Sequence, residues 1–595
     1  MNVSEYIFAY FSKKGINTVF MVTGGQAMYL DDAVGRNGNY EIICTHHEQS
    51  AAMAADAYGR IKNNPAITLV TAGPGSVNAL TGVVGGYTDS SPMIVISGQA
   101  NLSFVKYQEE TGIRQFGVQG INIKPLVDNF VKYFITIDET SKLQYYLDKA
   151  FREATTGRCG PVWIDVPLDV QRQTVNVDAF VPIKNGVAQS VFAASRYYTQ
   201  IFDKLTKSKR PVFLVGQGVS LADAREDFFR LLEKIRIPVI TSRLGIDLIE
   251  SDNYLYVGRP GNYGERAANF AIQNSDLIIS IGCRLASALV GHAPSEFGKK
   301  AHKIVVDIDE KELNKPGIKI DTKICMDCKE FIAGLREQLT EKSGFDFSEW
   351  IALCNGWKKS YPVVQQEYKN AKPVNSYHFI DRLSFLAPKN ANVLVDTGSC
   401  FHVACQAWKI KKGQHYLTTG GLSSMGYWVA GIGACLANDR RETIVITGDG
   451  SLQMNLQEFA TIKHNKLPIK VFIFNNNGYL LIRHTQRNFM EDRFIGESPQ
   501  TGVWCPDSLK IAAAYDIKAL CINNVEEIDE KIQEILSYDE PVICDVMTPE
   551  WQLLVPRVSS DKTSDGKLVS REYADMFPYL PRDEYLRNMV SGELV

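Results

Sequence analysis

The stretch that most constrains this chain is residues 448–479, GDGSLQMNLQEFATIKHNKLPIKVFIFNNNGY. An apolar run at 443–446 leads into Gly448-Asp449-Gly450-Ser451, and a second at 470–474 leads into Asn475-Asn476-Asn477-Gly478. The residues between, 454–463, carry a helical pattern, so the unit reads as strand-helix-strand. In such a unit the strands lie parallel and side by side, and their carboxyl ends share one edge of the sheet. Asp449 and Asn476, distant in sequence, thus arrive together with Gly-rich backbone around them. A carboxylate, an amide oxygen and free backbone N–H groups suit Mg2+ bridging to a diphosphate. GDG alone is more often an ordinary turn; the apolar strand, the GDG and the Asn pair carry the reading together.

At 595 residues the chain exceeds one hydrophobic core, and three or four domains are expected. A net charge of −3 without a basic stripe argues against a nucleic-acid partner. No apolar run approaches the length of a membrane span. The opening MNVSEYIFAYFSKKGI has an acidic residue ahead of its lysines and reads as an amphipathic helix, not a signal peptide. Scattered Cys without disulfide spacing fit a reducing cytoplasm. Cys325-Met326-Asp327-Cys328 is a lone CxxC; with no second ligand pair nearby it reads as structural, not as zinc.

Short β-branched runs at 18–22, 41–44, 67–71, 93–97 and 162–165 alternate with helical patterns and define a doubly wound parallel sheet over 1–182. The first run ends in Gly24-Gly25, where backbone can approach a ligand. The second leads into THHEQSAAMAADAYGR, which puts Glu48 at a strand-to-helix junction, where α/β sheets bind ligands. On its own such a Glu does no more than stabilise a helix N-terminus. For His46 and His47 a packed or hydrogen-bonded role is the default. A linker at 176–195 has no strong periodicity. The central region, 190–340, has runs at 212–215, 277–281 and 303–307. The first precedes Gly216-Gln217-Gly218, a weak dinucleotide signal. A helical linker at 345–369 leads to a third region, 373–550, where a strand at 393–395 ends in Asp396-Thr397-Gly398-Ser399-Cys400. Gly420-Gly421-Leu422-Ser423-Ser424-Met425-Gly426 follows, and a Met in such a stretch is ordinarily core filler. Residues 551–595 form a tail.

Several segments together resemble the thiamine diphosphate (ThDP)-dependent enzymes of acetolactate synthase type, over nearly the whole chain. They are the GDG–NN unit, HE followed by AAMAADAYGR, TAGPGSVN at 71–78, Asp89-Ser90-Ser91-Pro92, VDIDEKEL at 306–313, and Ser424-Met425-Gly426. The resemblance implies an α/β fold of three doubly wound parallel-sheet domains, pyrimidine-binding, middle and diphosphate-binding, with the tail closing over the site. It implies that Glu48 hydrogen-bonds the cofactor's pyrimidine N1′ and so controls the C2 proton, and that Met425 wedges beneath the cofactor. The carbonyl of Ser423 would accept from the cofactor's amino group. Asp449, Asn476 and the Gly478 carbonyl would hold Mg2+ against the diphosphate. Gly25, Gly398, Ser399, Cys400, Gly450, Ser451 and Tyr479 would line the cofactor; Ser399-Cys400 replaces a Gln-His or Asn-Ser type pair. Gln119 matches the family's catalytic-site Gln, while Gly120 replaces the Glu after it. In acetolactate synthases the middle domain holds FAD, with a segment reading RFDDRVTG. Here 284–291 reads RLASALVG, without the acidic pair and second Arg, so FAD is carried as a candidate only. Glu48 of one subunit would face Asp449 of its partner, giving a homodimer or homotetramer with sites at the interface.

Past the Asn pair, acetolactate synthases read GMVxQW, whereas 479–486 reads YLLIRHTQ, with Thr485 in place of the Trp that shapes the acceptor pocket. NNxGYxxIRxTQxxF and RPGNYGERAANFAIQNSDL at 259–277 are more similar to ThDP enzymes of bacterial polysaccharide and branched-sugar synthesis. A smaller residue at 485 admits a larger acceptor, and Arg483 and His484 are candidates to meet it. The expected activity is ThDP- and Mg2+-dependent decarboxylating carboligation. Its donor is a 2-oxo acid, pyruvate first; its acceptor is a second 2-oxo acid or a nucleotide-linked keto sugar. Competing readings are a simple 2-oxo acid decarboxylase, kept alive by His46-His47, an FAD-dependent oxidase, and a catalytically silent subunit of the same fold. Glu48, Asp449 and Asn476 stand against the last.

Overall fold

The computed structural model describes residues 1–180, 194–339, 344–562 and 568–590. Most of the linker expected at 176–195 and parts of the tail lie outside these residues.

Three parallel sheets of six strands each carry the fold. The first runs, in spatial order, Glu41–Cys44, Thr18–Met21, Ala66–Val70, Met93–Gln99, Pro161–Pro167 and Tyr133–Thr136. The third runs His415–Thr418, Asn392–Val395, Thr443–Gly448, Ile469–Asn475, Val542–Met547 and Lys518–Ile522. These two share one order: second, first, third, fourth, sixth, fifth in chain sequence. The middle sheet differs. It runs Thr322–Cys325, His302–Asp307, Leu277–Ile281, Pro211–Val215, Val239–Thr241 and Tyr256–Gly258, the order of dinucleotide-binding folds. Central strands such as Ala66–Val70 and Leu277–Ile281 are buried along their whole length, which is why they read as continuous apolar runs.

In each sheet the crevice for a ligand opens where the strand order reverses, at the carboxyl ends of the flanking strands. That point lies between Thr18–Met21 and Ala66–Val70 in the first sheet, and between Asn392–Val395 and Thr443–Gly448 in the third. In the middle sheet it lies between Pro211–Val215 and Leu277–Ile281. The Gly-rich turns 23–25, 71–75, 396–398, 448–450, 216–218 and 282–284 all sit at these points.

The first and third sheets share one buried apolar cluster, from Val70 and Val95 through the helix Glu48–Lys62 to Val445 and Val471. Ala at 51, 52, 54, 55 and 57 makes this helix thin. The helix Gly431–Ala437 therefore comes so close that a Cβ on Gly433 would run into the Ala54 carbonyl. The first helix, Val3–Lys13, is closed by a capping box between Asn2 and Glu5.

Two expectations are corrected. The helix expected at 454–463 is two short pieces, Asp449–Leu452 and Glu458–His464. Among the described residues the tail past Pro556 does not close over the site but packs on the middle domain. Arg557–Val558 pairs with Met576–Phe577, and Tyr573, Met576 and Tyr585 are buried in the core around the helix Arg266–Asn274. Arg266 and Asn269 donate to the carbonyls of Pro578 (2.6 Å) and Tyr573 (2.9 Å). Backbone acceptors from the tail leave these buried polar side chains satisfied. Its start, through Pro556, stays with the third domain: Leu554 lies in that core, Val555 N donates to the Tyr377 hydroxyl at 2.9 Å, and the Pro556 carbonyl accepts from Gln406 Nε2 at 2.8 Å. Among the described residues no helix is long and apolar enough to cross a membrane.

Candidate active site

The strand Thr443–Gly448 delivers Asp449 to the sheet edge, and its neighbour Ile469–Asn475 delivers Asn476; Gly448 is registered against Phe474. The Asp449 carboxylate is 4% exposed. It accepts from Gly450 N at 2.9 Å and from Gly478 N at 2.8 Å. Burial pushes its pKa up to about 6, against the lowering effect of those two N–H groups. Asn476 is equally buried, and its Oδ1 has no hydrogen-bond partner. A buried carboxylate beside an orphaned amide oxygen is costly unless something binds there. The oxygen-only donor set fits Mg2+. Gly478 takes φ +128°, and a Cβ there would strike the Glu497 carbonyl. The Tyr479 ring packs where a Cβ on Gly450 would go.

Asp396, which ends the strand Asn392–Val395, ties this edge together. Its buried carboxylate accepts from Thr447 Oγ1 (2.8 Å), Ser451 Oγ (2.6 Å), Thr397 N (2.7 Å) and Tyr427 N (3.2 Å). The Ser451 hydroxyl also accepts from Gly426 N at 2.8 Å, so it is committed to the scaffold. Gly398 has φ +90° with open space around it, and Ser399 begins the helix Ser399–Ala407. The Cys400 thiol turns back to the Asp396 carbonyl (3.3 Å) and burial raises its pKa, leaving only backbone N–H at this position for a ligand.

The loop carrying Ser423 and Met425 is clamped at both ends. Asp89 of the first domain accepts from Gly420 N (2.9 Å) and Gly421 N (2.7 Å), and Ser451 holds Gly426. Ser423 takes φ +52° and is exposed; Met425 is half-buried and is not core filler.

On the first sheet, Glu48 opens the helix Glu48–Lys62, whose N-cap is His47: its Nδ1 accepts from Gln49 N at 3.1 Å. Asn78 Nδ2 donates to Glu48 Oε2 at 2.9 Å, and Oε1 faces the Gly75 turn. The helix start is tied to the third domain through His46 N to Glu458 (3.1 Å) and Asn455 Nδ2 to Gln49 Oε1 (3.0 Å). Gly25 is exposed with nothing nearby. Gln119 is exposed at φ +58°, its carbonyl against Gly73. A Cβ on Gly120 would run into the Phe116 carbonyl, which explains locally why no Glu stands there.

Arg483 and His484 do not meet an acceptor. Both are buried: Arg483 pairs with Glu497, and His484 Nε2 lies 2.8 Å from the Gln552 carbonyl. Thr485 is exposed, one helical turn beyond Leu481 and bonded to its carbonyl. Cys325 is exposed and Cys328 buried, and among the described residues no group of three or more His, Cys, Asp or Glu could hold a metal. Asp396, Asp89 and Asn78 stand in segments that the sequence singled out, but without these partners, and Arg483, expected to meet an acceptor, instead binds the backbone of the metal loop.

A cavity of about 420 Å3 opens at the switch point of the middle sheet. Its lining includes Gln217, Gly218, Gly282, Arg284 and Asp307, and it reaches Thr397, Ser423 and Leu481. A Cβ on Gly216 or Gly218 would strike the Gly282 turn. Arg243 Nη2 and His402 Nδ1, from residues of the lining, are buried without a partner.

Three domains match a single enzyme family: the thiamine pyrophosphate enzyme N-terminal domain over 1–116, its central domain over 198–335, and its C-terminal domain over 396–546. The chain is 31% identical to the acetolactate synthase large subunit of Cyanidium caldarium, over 93% of this chain and 94% of that one. It is 32% identical to a probable acetolactate synthase large subunit of Methanococcus aeolicus, over 92% of each. With the isozyme 2 large subunit of Escherichia coli K12 it shares 28%, over 94% of this chain and 99% of that one. The chain belongs to the thiamine diphosphate-dependent enzymes and is an acetolactate synthase-like member of that family.

Proposed function

We propose that this enzyme is a Mg2+-dependent decarboxylating carboligase. It takes a 2-oxo acid, pyruvate first, and joins the two-carbon unit to a keto acceptor larger than pyruvate, of the nucleotide-linked keto-sugar class. The observation that carries the reading is the orphaned Asn476 Oδ1 beside the buried Asp449 carboxylate, a place built for a cation. ThDP, when bound, supplies the acidic C2 position and the electron sink that decarboxylation needs. Asp449, Asn476 and the Gly478 carbonyl hold the metal and through it the diphosphate. Backbone N–H groups at Gly398, Ser399, Cys400 and Ser451 would bind phosphate oxygens, with Gly450, whose N–H donates to Asp449, lining them. Met425 and the Ser423 carbonyl orient the aminopyrimidine, with Gly25 and Tyr479 at its borders. Glu48 controls the proton at the pyrimidine nitrogen, and Asn78 fixes the rotamer of its carboxylate. Gln119, exposed on its loop, would approach the reacting centre.

The middle-sheet cavity fits a dinucleotide, and FAD is the proposed occupant. Gly218 and Gly282 line it with backbone, their turns packed on each other and on Gly216; Asp307 ends a strand of the same sheet, and Arg243 offers an N–H without a hydrogen-bond partner. The working domains are 1–182, 190–340 and 373–550, with the tail 551–595. Neither Glu48 nor Asp449 lines that cavity. Apolar side chains are exposed beside Gln119 (Val118, 72%) and past the metal loop (Ile495, 74%; Trp504, 72%). Such patches mark an interface and support a homodimer or homotetramer with shared sites.

Purified protein with pyruvate, ThDP and Mg2+ is tested against a panel of keto acids and nucleotide-linked keto sugars, and the carbon products are identified. A larger acceptor should accelerate ligation. Fast, saturable acetolactate formation without gain from any larger acceptor overturns the acceptor class. Acetaldehyde as the sole product makes the enzyme a simple decarboxylase, and no CO2 under any condition makes it a silent subunit.

A further inference from the structure

We infer that Arg483, paired with Glu497, is the positioning residue that sets the metal loop 476–478. The inference rests on the assignment of Asp449, Asn476 and Gly478 to Mg2+ and deepens it.

Arg483 lies in the first turn of the helix Leu480–Phe489 with its side chain 3% exposed. All five of its N–H positions have a use. Nη1 donates to the carbonyls of Asn476 (2.7 Å) and Glu550 (2.9 Å). Nη2 donates to the carbonyls of Asn477 and Glu497, the latter at 3.2 Å. Nε donates to the Glu497 carboxylate. Asn477 and Gly478 have positive φ, +61° and +128°, which takes the chain out of the strand ladder, and it is the guanidinium that gathers the carbonyls of Asn476 and Asn477. With its backbone oxygen so engaged, Asn476 keeps an unpartnered Oδ1.

Glu497 is held as firmly. Its carboxylate accepts from Ser498 Oγ at 2.6 Å, and its N–H donates to Thr501 Oγ1 at 3.0 Å. Its carbonyl also accepts from Tyr479 N at 2.8 Å, on the far side of Gly478. Arg483 and Glu497 thus grip the metal loop from both sides and anchor it to 497–501 and to Glu550. A lysine cannot substitute, since an ammonium has three donors at one point rather than a planar fork of five.

Full-length Arg483→Lys and Glu497→Gln are compared with wild type and with Asp449→Asn. Three quantities are measured: Mg2+ and ThDP dissociation constants, turnover at rising Mg2+, and melting without cofactor. Groups that orient metal ligands are worth about 10–100-fold in metal affinity. The expected result is a loss of that size in both variants and recovery of turnover at excess Mg2+, although breaking the buried pair also lowers melting without cofactor. If Asp449→Asn binds Mg2+ normally, the metal assignment itself fails. If Asp449→Asn loses Mg2+ while both clamp variants bind as wild type, the positioning role is overturned. Loss of affinity that tracks a lowered melting temperature and is not rescued by excess Mg2+ overturns it too, since that is a purely structural effect.

Discussion

Replacing Asp449 by Asn should stabilise the cofactor-free protein while abolishing its response to cofactor. The carboxylate is 4% exposed, and burial lifts its pKa from 3.8 to about 6. A carboxyl whose folded pKa is raised loses stability as pH climbs from about 4 to about 6, because folding then buries a charge. At ~1.4 kcal/mol per pH unit, the ionised form costs the metal-free fold about 3 kcal/mol above pH 6. Asn removes the charge at equal volume. Its one amide oxygen can serve Gly478 N, but its NH2 then meets Gly450 N, a mismatch that takes back about 1–2 kcal/mol. The net gain is ~1–2 kcal/mol, a rise of about 2–8 °C for a unit of 150–250 residues. With cofactor the order reverses. Wild type at 100 times its dissociation constant in Mg2+ and ThDP gains about 2.7 kcal/mol. If the variant binds about 100-fold more weakly, its gain at that concentration is ~0.4 kcal/mol. Melting curves at pH 7.5, with and without Mg2+ and ThDP, should therefore cross. A cofactor-free variant that melts below wild type, or one that gains as much from cofactor, refutes the reasoning.

Glu48→Gln should still bind ThDP but exchange its C2 proton about 10²–10⁴-fold more slowly, read by deuterium exchange; exchange at wild-type speed contradicts the role. Burial pushes Asp165, bonded to Ser97 Oγ and Gln99 Nε2, from 3.8 up to about 7. Stability should thus fall by ~4 kcal/mol as pH rises from about 4 to about 7, and Asp165→Asn should flatten the melting profile between pH 5 and 8. An unchanged slope would lay the dependence on another group. Thr485→Trp, at an exposed position, should leave the fold intact and suppress ligation to large keto acceptors while pyruvate decarboxylation persists; equal use of large and small acceptors by both variants contradicts it.

The legible part of the fold was its buried centre. Strands such as Met93–Gln99 and Ile469–Asn475 lie between neighbours and under helices, so each carries an unbroken apolar stretch, 93–96 and 471–474, that stands out. The edge strands Tyr133–Thr136, Thr322–Cys325 and Lys518–Ile522 are short and have half-buried or exposed positions, so no buried apolar run marks them, although YFIT at 133–136 is rich in β-formers. The candidate site divides the same way. Glu48, Asp449, Asn476 and Gly478 sit where a strand ends in a Gly-rich or helix-opening turn, a local pattern. Asp396 and Asp89 owe their place to donors brought from far along the chain, and Arg483 to the carbonyls of a non-helical turn just before its helix; both are contact information and leave no periodic trace. Arg483 and His484 drew attention as free polar groups because helical spacing alone does not say which face of Leu480–Phe489 is buried.

The shared strand order of the first and third sheets bears on how the site is completed. Each offers a switch-point crevice, and a cofactor with a pyrimidine at one end and a diphosphate at the other calls for one of each. Within one chain the two sheets cannot close on each other like jaws. The helix Glu48–Lys62 is wedged between them, Gly433 is against Ala54, and His46 and Gln49 are tied to Glu458 and Asn455. A core packed this closely transmits strain rather than hinging. On the proposed reading, Glu48 therefore finds its diphosphate-binding counterpart on a second copy of the chain, where the apolar residues around Val118 and Trp504 would lose their exposure, and assembly rather than domain closure makes the enzyme.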